Sequence, residues 1–275
     1  MDKSKINQTQ LDFSSGLGLA NLNLKTGRLL FECPGLTIGG GNYQISTSLI
    51  YNSKYKKEDF GNIKIGFGNG WKLNIQQYIF PYCKSYGLDD FSEENGDYVY
   101  IDSNWNIHRF VKYKDNYAYG DSRNVYYDAS GSGLRLVVEE EKYAEIYDGN
   151  NSVIKFDTNG NITNIISSIN AEISKTIEYD ESNNLIFICD YRKPGRKINF
   201  LYNKDGNINK IFSSNYKVSL NFYYNNSNQL DKITKTSGTN TKDMMYFVYQ
   251  NNNLLSQTID AESLKALCYK YDIEV

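Results

Sequence analysis

An aromatic residue, then Asp or Asn, then a few polar turn residues and a fresh apolar run: this phrase recurs along the second half of the chain. The copies are Phe156-Asp157-Thr158-Asn159-Gly160-Asn161-Ile162, Tyr179-Asp180-Glu181-Ser182-Asn183-Asn184-Leu185, Tyr202-Asn203-Lys204-Asp205-Gly206-Asn207-Ile208, Tyr224-Asn225-Asn226-Ser227-Asn228-Gln229-Leu230 and Tyr249-Gln250-Asn251-Asn252-Asn253-Leu254. Tyr271-Asp272 opens another, and successive copies stand 23, 23, 22, 25 and 22 residues apart. A fixed period of this length marks a repeat architecture, in which one unit cannot bury its apolar face alone and stacked neighbours supply the core.

Within one unit, Leu185-Ile186-Phe187-Ile188-Cys189 and Lys197-Ile198-Asn199-Phe200-Leu201-Tyr202 flank the breaker run Asp190–Gly195. Each unit therefore predicts a β-hairpin whose alternate side chains face inward and outward. Asn or Gly in the tight turn supplies positive φ, and the Asp or Asn after the aromatic residue is expected to fold its oxygen back onto turn amides. Looser copies lie upstream at Tyr100-Ile101-Asp102, Tyr127-Asp128 and Tyr147-Asp148. The expected fold class is all-β, with repetitive antiparallel hairpins forming a curved, spiralling sheet. We divide the chain into an N-terminal β segment over 1–83, punctuated by Gly16, Gly18, Gly39-Gly40-Gly41, Gly66, Gly68 and Gly70, a junction loop over 84–97, and the hairpin array over 98–275.

Composition narrows the function classes. Of 275 residues, 25 are Tyr, 13 Phe and 2 Trp against three Pro, so rings carry much of the apolar area, which favours strands. Lys plus Arg number 30 and Asp plus Glu 32, and no basic run offers a counter-charge to a phosphate backbone, so no nucleic-acid partner is expected. The longest apolar runs, such as Met244–Tyr249, fall far short of the roughly 20 residues a membrane-spanning helix needs. Residues 1–10 lack the apolar core of a secretory signal peptide. Cys33, Cys83, Cys189 and Cys268 lack the paired spacing of a zinc or redox motif and read as idle thiols.

Taken in order, Gly16-Leu17-Gly18, Leu22-Asn23-Leu24-Lys25-Thr26-Gly27-Arg28-Leu29, Leu49-Ile50-Tyr51-Asn52-Ser53, Phe67-Gly68-Asn69-Gly70-Trp71-Lys72-Leu73 and the Tyr-Asp array resemble the Rhs/YD-repeat proteins of the wall-associated type. The resemblance spans the pre-repeat segment and the first repeats. It implies a β-sheet spiralling into a hollow shell, in some members around a toxic C-terminal domain, in others displaying an adhesive surface. It also implies a secreted or cell-surface location, with the chain cytoplasmic before export or exported without a signal peptide. The toxin-delivering members end their shell in an Asp-Pro-containing self-cleaving motif. Here Pro34, Pro81 and Pro194 are not preceded by Asp, and the chain stops within a repeat at Tyr271-Asp272-Ile273-Glu274-Val275, so we read it as a fragment or a truncated paralogue.

The expected function is a non-catalytic scaffold with no catalytic, cofactor or metal site. The single histidine, His108, cannot make a triad by itself and reads as structural. The Gly66–Trp71 cluster runs into a strand rather than a helix, so a hairpin turn with a buried Trp fits better than a phosphate loop. Asp157, Asp180 and Asp205 offer too few oxygens per turn for Ca²⁺. Trp105, Tyr98, Tyr117 and Tyr119, with Tyr113, Tyr126 and Tyr127 nearby, form the candidate surface for a glycan or protein partner, the alternative function. The motif residues Phe156, Asp157, Tyr179, Asp180, Tyr202, Asn203, Tyr224, Asn225, Tyr249, Tyr271 and Asp272 receive a structural role. The last strand, Leu264–Tyr271, is expected to leave an open edge that pairs with the rest of the shell, a toxin or another chain.

Overall fold

The computed structural model describes residues 10–15, 18–23, 28–40, 44–54, 66–84, 97–112, 124–139, 143–150, 152–166, 173–250, 254–264 and 266–268. The protein is all-β and antiparallel throughout. A first, five-stranded sheet follows chain order: β1 (Gln10–Ser15), β2 (Gly18–Asn23), β3 (Arg28–Ile38), β4 (Ile45–Asn52) and β5 (Trp71–Leu73).

The second sheet starts with β6 (Tyr78–Pro81), β7 (Tyr98–Ile101), β8 (Ile107–Lys112), β9 (Asn124–Asp128), β10 (Arg135–Glu139), β11 (Tyr143–Tyr147) and β12 (Val153–Phe156). It continues through β13 (Ile162–Ile166), β14 (Ile173–Tyr179), β15 (Leu185–Asp190), β16 (Lys193–Tyr202), β17 (Ile208–Ser213) and β18 (Val218–Tyr224). It ends with β19 (Leu230–Ser237), β20 (Asn240–Tyr249), β21 (Leu255–Asp260) and β22 (Ala266–Cys268). Each strand pairs with the next, and the Tyr-Asp phrases form alternate turns of this meander. The break between sheets falls between Leu73 and Tyr78, so Tyr78–Pro81, grouped by sequence with the N-terminal segment, pairs with β7 instead. Residues 85–96 of the expected junction, Tyr117 and Tyr119, and Tyr271 and Asp272 lie outside the described residues.

The turn chemistry is uniform. In four copies the Asp or Asn side-chain oxygen accepts the amides two and four residues on: Asp157 from Asn159 and Asn161, Asp180 from Ser182 and Asn184, Asn203 from Asp205 and Asn207, Asn225 from Ser227 and Gln229. The residue three places on is left-handed: Gly160, Asn183, Gly206 and Asn228 have φ of 78°, 60°, 76° and 60°. Gly and Asn tolerate this region best.

Curvature has a repeated cause. Where the period is strict, a β-bulge sits beside every turn. Tyr179 faces Leu185 but Glu178 faces Phe187, which leaves Ile186 unmatched. The same slip leaves out Thr163, Asn209, Asp231 and Ser256. The earlier copies at Asp102 and Asp148 pair without a slip. A bulge adds right-handed twist and bends its strand, so one bulge per hairpin coils the sheet in one sense.

The repeat tyrosines complete the bulges. Tyr202 donates its hydroxyl to the Leu185 carbonyl at 3.2 Å, Tyr224 to Ile208 at 2.6 Å and Tyr249 to Leu230 at 2.8 Å. Each acceptor is the residue just before the bulged one in the preceding repeat, where the ladder is locally disrupted and backbone groups need other partners. The copy whose predecessor pairs without a bulge carries Phe156, which has no hydroxyl. Tyr179 departs from the pattern: its hydroxyl is buried and has no hydrogen-bond partner among the described residues.

The coiled sheet returns onto itself at one place. Tyr78 of β6 bridges Asn161 in the β12–β13 turn, the Ile79 amide donates to the Gly160 carbonyl at 2.9 Å, and the Ile162 amide donates to Gln77 at 3.3 Å. The first sheet packs into the concave side, β3 against β16, β17 and β18 and β4 against β15. One core joins Phe31, Leu49, Tyr51, Phe67 and Trp71 of the N-terminal segment to Ile188, Ile198, Ile211, Phe222, Ile233 and Phe247 of the array. The two units share their apolar faces, as the repeat argument requires.

Candidate functional site

The densest polar construction among the described residues lies where the N-terminal sheet meets the β7–β8 turn. That turn follows the repeat pattern: Asp102 accepts the amides of Asn104 at 2.8 Å and Asn106 at 2.7 Å, and the Asn106 side-chain amide at 2.9 Å. Its left-handed position, held elsewhere by Gly or Asn, is Trp105 at φ 63°. A bulky residue there is strained, and such strain persists only where surroundings hold it. Here they do. The indole Nε1 donates to the Ile50 carbonyl of β4 at 3.1 Å, and the ring packs in a satellite cluster with Ile50 and Ile101.

The expectation that Trp105 presents an exposed ring to a glycan is corrected by its 1% exposure. The left-handed turn swings the side chain under the N-terminal sheet rather than outward. Tyr98 is half-buried and meets the Tyr126 ring at 5.0 Å, edge to face, and Tyr126 is itself buried. Tyr127 is half-buried, and Tyr113 lies outside the described residues.

Three polar side chains of the N-terminal segment bind carbonyls of the same turn. Arg28 donates from Nη2 to the Trp105 carbonyl at 3.1 Å, Asn52 from Nδ2 to that carbonyl at 3.5 Å, and Lys72 from Nζ to Ser103 at 2.9 Å. Lys72 also donates to Gln76 at 3.1 Å and Leu73 at 3.3 Å, and its ammonium stands 5.7 Å from the Trp105 ring centre. It is 0% exposed. Burial in an apolar setting disfavours its charged form and lowers its pKa to about 7, with Asp102 acting weakly the other way.

Beside it, His108 lies between two carboxylates, Nδ1 at 3.1 Å from Asp128 and Nε2 at 3.3 Å from Asp102, with its ring stacked on Tyr100 at 5.4 Å. Burial works against the imidazolium, but hydrogen bonds and charge from Asp102 and Asp128 outweigh it and raise the His108 pKa. Burial likewise works against both carboxylates, and their hydrogen bonds outweigh it and lower their pKa values. Asp128 is further bound by the hydroxyls of Ser130, at 2.6 Å, and Ser132. Asp102, His108 and Asp128 thus satisfy one another. Among the described residues no His, Cys, Asp and Glu group is arranged to hold a metal ion, and the described cysteines are free thiols.

A second feature lies on the outer, convex face. Over β16–β18 the surface sinks into a groove of about 480 Å³ lined by Leu201, Asn209, Lys210, Asn221 and Tyr223, with Asn203, Asp205, Asn225 and Asn228 at its turn end.

Sequence reasoning did not single out Lys72 or the groove residues. The signal for Lys72 was a cation placed between Trp71 and Leu73 in a strand buried on both sides, and the groove's signal was an outward Tyr where other repeats carry aliphatic or charged residues. Compared with known protein families and with characterised proteins, the chain matches none. No helix among the described residues is long and apolar enough to cross a membrane.

Proposed function

We propose that this chain is a non-catalytic scaffold: a wall segment of an Rhs/YD-repeat type of shell, built to house or present another polypeptide segment such as a toxin. The observation that carries the reading is the bulge that recurs with every strict repeat, because it commits the sheet to curl in one sense around whatever lies on its concave side. The N-terminal sheet occupies part of that side and is fixed to it by Trp105, Lys72 and Arg28. These polar contacts are used up in joining two parts of one chain, which suits assembly rather than turnover. Under this reading the protein acts at the cell surface or outside the cell.

The test is native purification from the producing cells followed by limited proteolysis and mass spectrometry. A scaffold is expected to retain a second segment, continuous or separate, that is protected until the curled sheet is denatured. A homogeneous chain that retains nothing under native conditions overturns the proposal.

A further inference from the structure

The chain has no basic run, yet folding gathers cations from separate hairpins at one rim of the array. The hairpin ends remote from the Tyr-Asp turns join β15 to β16, β17 to β18 and β19 to β20. They carry Arg192 and Lys193, then Lys217, then Lys235 and Lys242, all exposed. Hydrogen bonds tie the three ends together: Asn215 donates from Nδ2 to the Gly195 carbonyl, Arg196 from Nε to the Tyr216 hydroxyl at 3.3 Å, and the Gly238 amide to the Lys217 carbonyl at 2.8 Å. Among the described residues, Lys193, Lys217, Lys235 and Lys242 form no ion pair. The neighbouring acids are engaged elsewhere, Asp190 with Arg196 at 3.1 Å and Asp243 with Lys232 at 3.5 Å. The rim ends at the β21–β22 turn, where Asp260 accepts the Glu262 and Ser263 amides.

Three of these lysines stand where the fold alone favours other residues. Lys217 is left-handed at φ 48°, a region that Gly or Asn enters at lower cost. Lys235 and Lys242 face each other directly across β19 and β20, and like charges so placed destabilise a sheet. Two rings project beside the cations, Tyr191 at 54% and Tyr216 at 44% exposure. We propose that this rim docks the protein on an anionic membrane surface. A basic side chain near such a surface strengthens attachment by about fivefold. A tyrosine ring settles at the headgroup level, its apolar body among the lipids and its hydroxyl wet. Hairpin ends recur every second strand, about 10 Å apart, so the three present cations and rings along a front of about 20 Å. The combination of projecting rings with unpaired cations favours a lipid surface over a soluble polyanion, which needs the charge alone. The contact is peripheral, through hairpin ends rather than a spanning element.

The proposal stands independently of the shell reading. It is tested by co-sedimenting the full chain with vesicles of phosphatidylcholine containing about 30% phosphatidylglycerol, and with vesicles of phosphatidylcholine alone, at about 0.1 M salt. Binding to the anionic vesicles is expected to be at least about tenfold tighter than to the neutral ones, and to be lost at about 1 M salt. Lys217→Ala combined with Lys235→Ala should weaken it by about twentyfold, two cations at about fivefold each. Tyr191→Ala combined with Tyr216→Ala should weaken it severalfold, a loss that a purely electrostatic partner would not show. Lys204→Ala removes an exposed cation at a Tyr-Asp turn, the opposite end of the hairpins, and should leave binding unchanged. All five side chains are surface groups, and tryptophan fluorescence checks that each variant is folded. Equal binding to both vesicle types, or none, overturns the proposal, as does a loss in Lys204→Ala equal to that in Lys217→Ala. Tighter binding to polyglutamate or single-stranded DNA than to the anionic vesicles assigns the rim to a soluble polyanion and overturns it too.

Discussion

Replacing Lys72 by Met tests whether the junction between the two sheets is built around a buried amine. The side chain is wholly enclosed, and its pKa falls from 10.5 to about 7. A group held below its unfolded value binds fewer protons in the folded state, so folding loses stability as pH falls from 10.5 towards 7 and the loss is complete below that. Between these limits the unfolded chain is protonated at this site and the folded chain is not, and each pH unit changes stability by about 1.4 kcal/mol. From pH 7 to pH 10 the contribution amounts to roughly 4 kcal/mol, less whatever water reaches the ammonium when it charges. Lys72→Met preserves length and removes the titration, but leaves the Ser103, Gln76 and Leu73 carbonyls without their donor. The absolute stability of the variant therefore mixes two effects of opposite sign, whereas the pH dependence of its difference from the wild type isolates the amine. Urea unfolding at pH values from 6 to 10 measures that difference, and the chain reports it directly because its two tryptophans, Trp71 and Trp105, flank the junction. Relative to the variant, the wild type should gain several kcal/mol between pH 7 and 10. A gap constant within about 0.5 kcal/mol over that range refutes the reasoning, because an amine with its ordinary pKa would titrate alike in both states.

His108 is the only histidine, so its ring resonances can be followed without assignment; the NMR midpoint should lie above 6.5, and one below that value would show that the two carboxylates do not outweigh burial. Because its folded pKa is raised, the stability it contributes is full below the unfolded value and lost as pH rises through the folded one, a slope that His108→Gln should remove from unfolding curves. Tyr224→Phe leaves the Ile208 carbonyl beside its bulge without the hydroxyl donor and should cost about 1–2 kcal/mol in urea unfolding, while a neutral result would deny the tyrosine its role at the bulge. Gly160→Ala would place a methyl 1.8 Å from the Ile79 carbonyl at the seam, whereas Gly206→Ala meets nothing within 4 Å and carries only left-handed strain of about 1–2 kcal/mol. Unfolding should therefore show a clearly larger loss for Gly160→Ala, and equal losses would mean that the seam gives way freely.

The hairpin array was legible because its signal is periodic: one turn chemistry recurring at 22 to 25 residues places strands without knowledge of their neighbours. The bulge was not legible, since it depends on which residue faces which across two strands, and the sequence does not mark Ile186 or Asn209 as unmatched. Once the bulge is seen, the aromatic position reads differently. A ring alone satisfies packing, as Phe156 shows where no bulge precedes, whereas at Tyr202, Tyr224 and Tyr249 the hydroxyl also meets a carbonyl one repeat upstream. Trp105 misled for a related reason. In a polar stretch, Asn104-Trp105-Asn106, an aromatic ring reads as exposed, and only its register in the turn, three residues after Asp102, assigns it the left-handed position. The other described copies fill that position with Gly or Asn, which tolerate the left-handed region, while in this copy the N-terminal sheet holds a larger group there. The departure from the repeat rule is thus where the array stops stacking on itself and accepts a different partner.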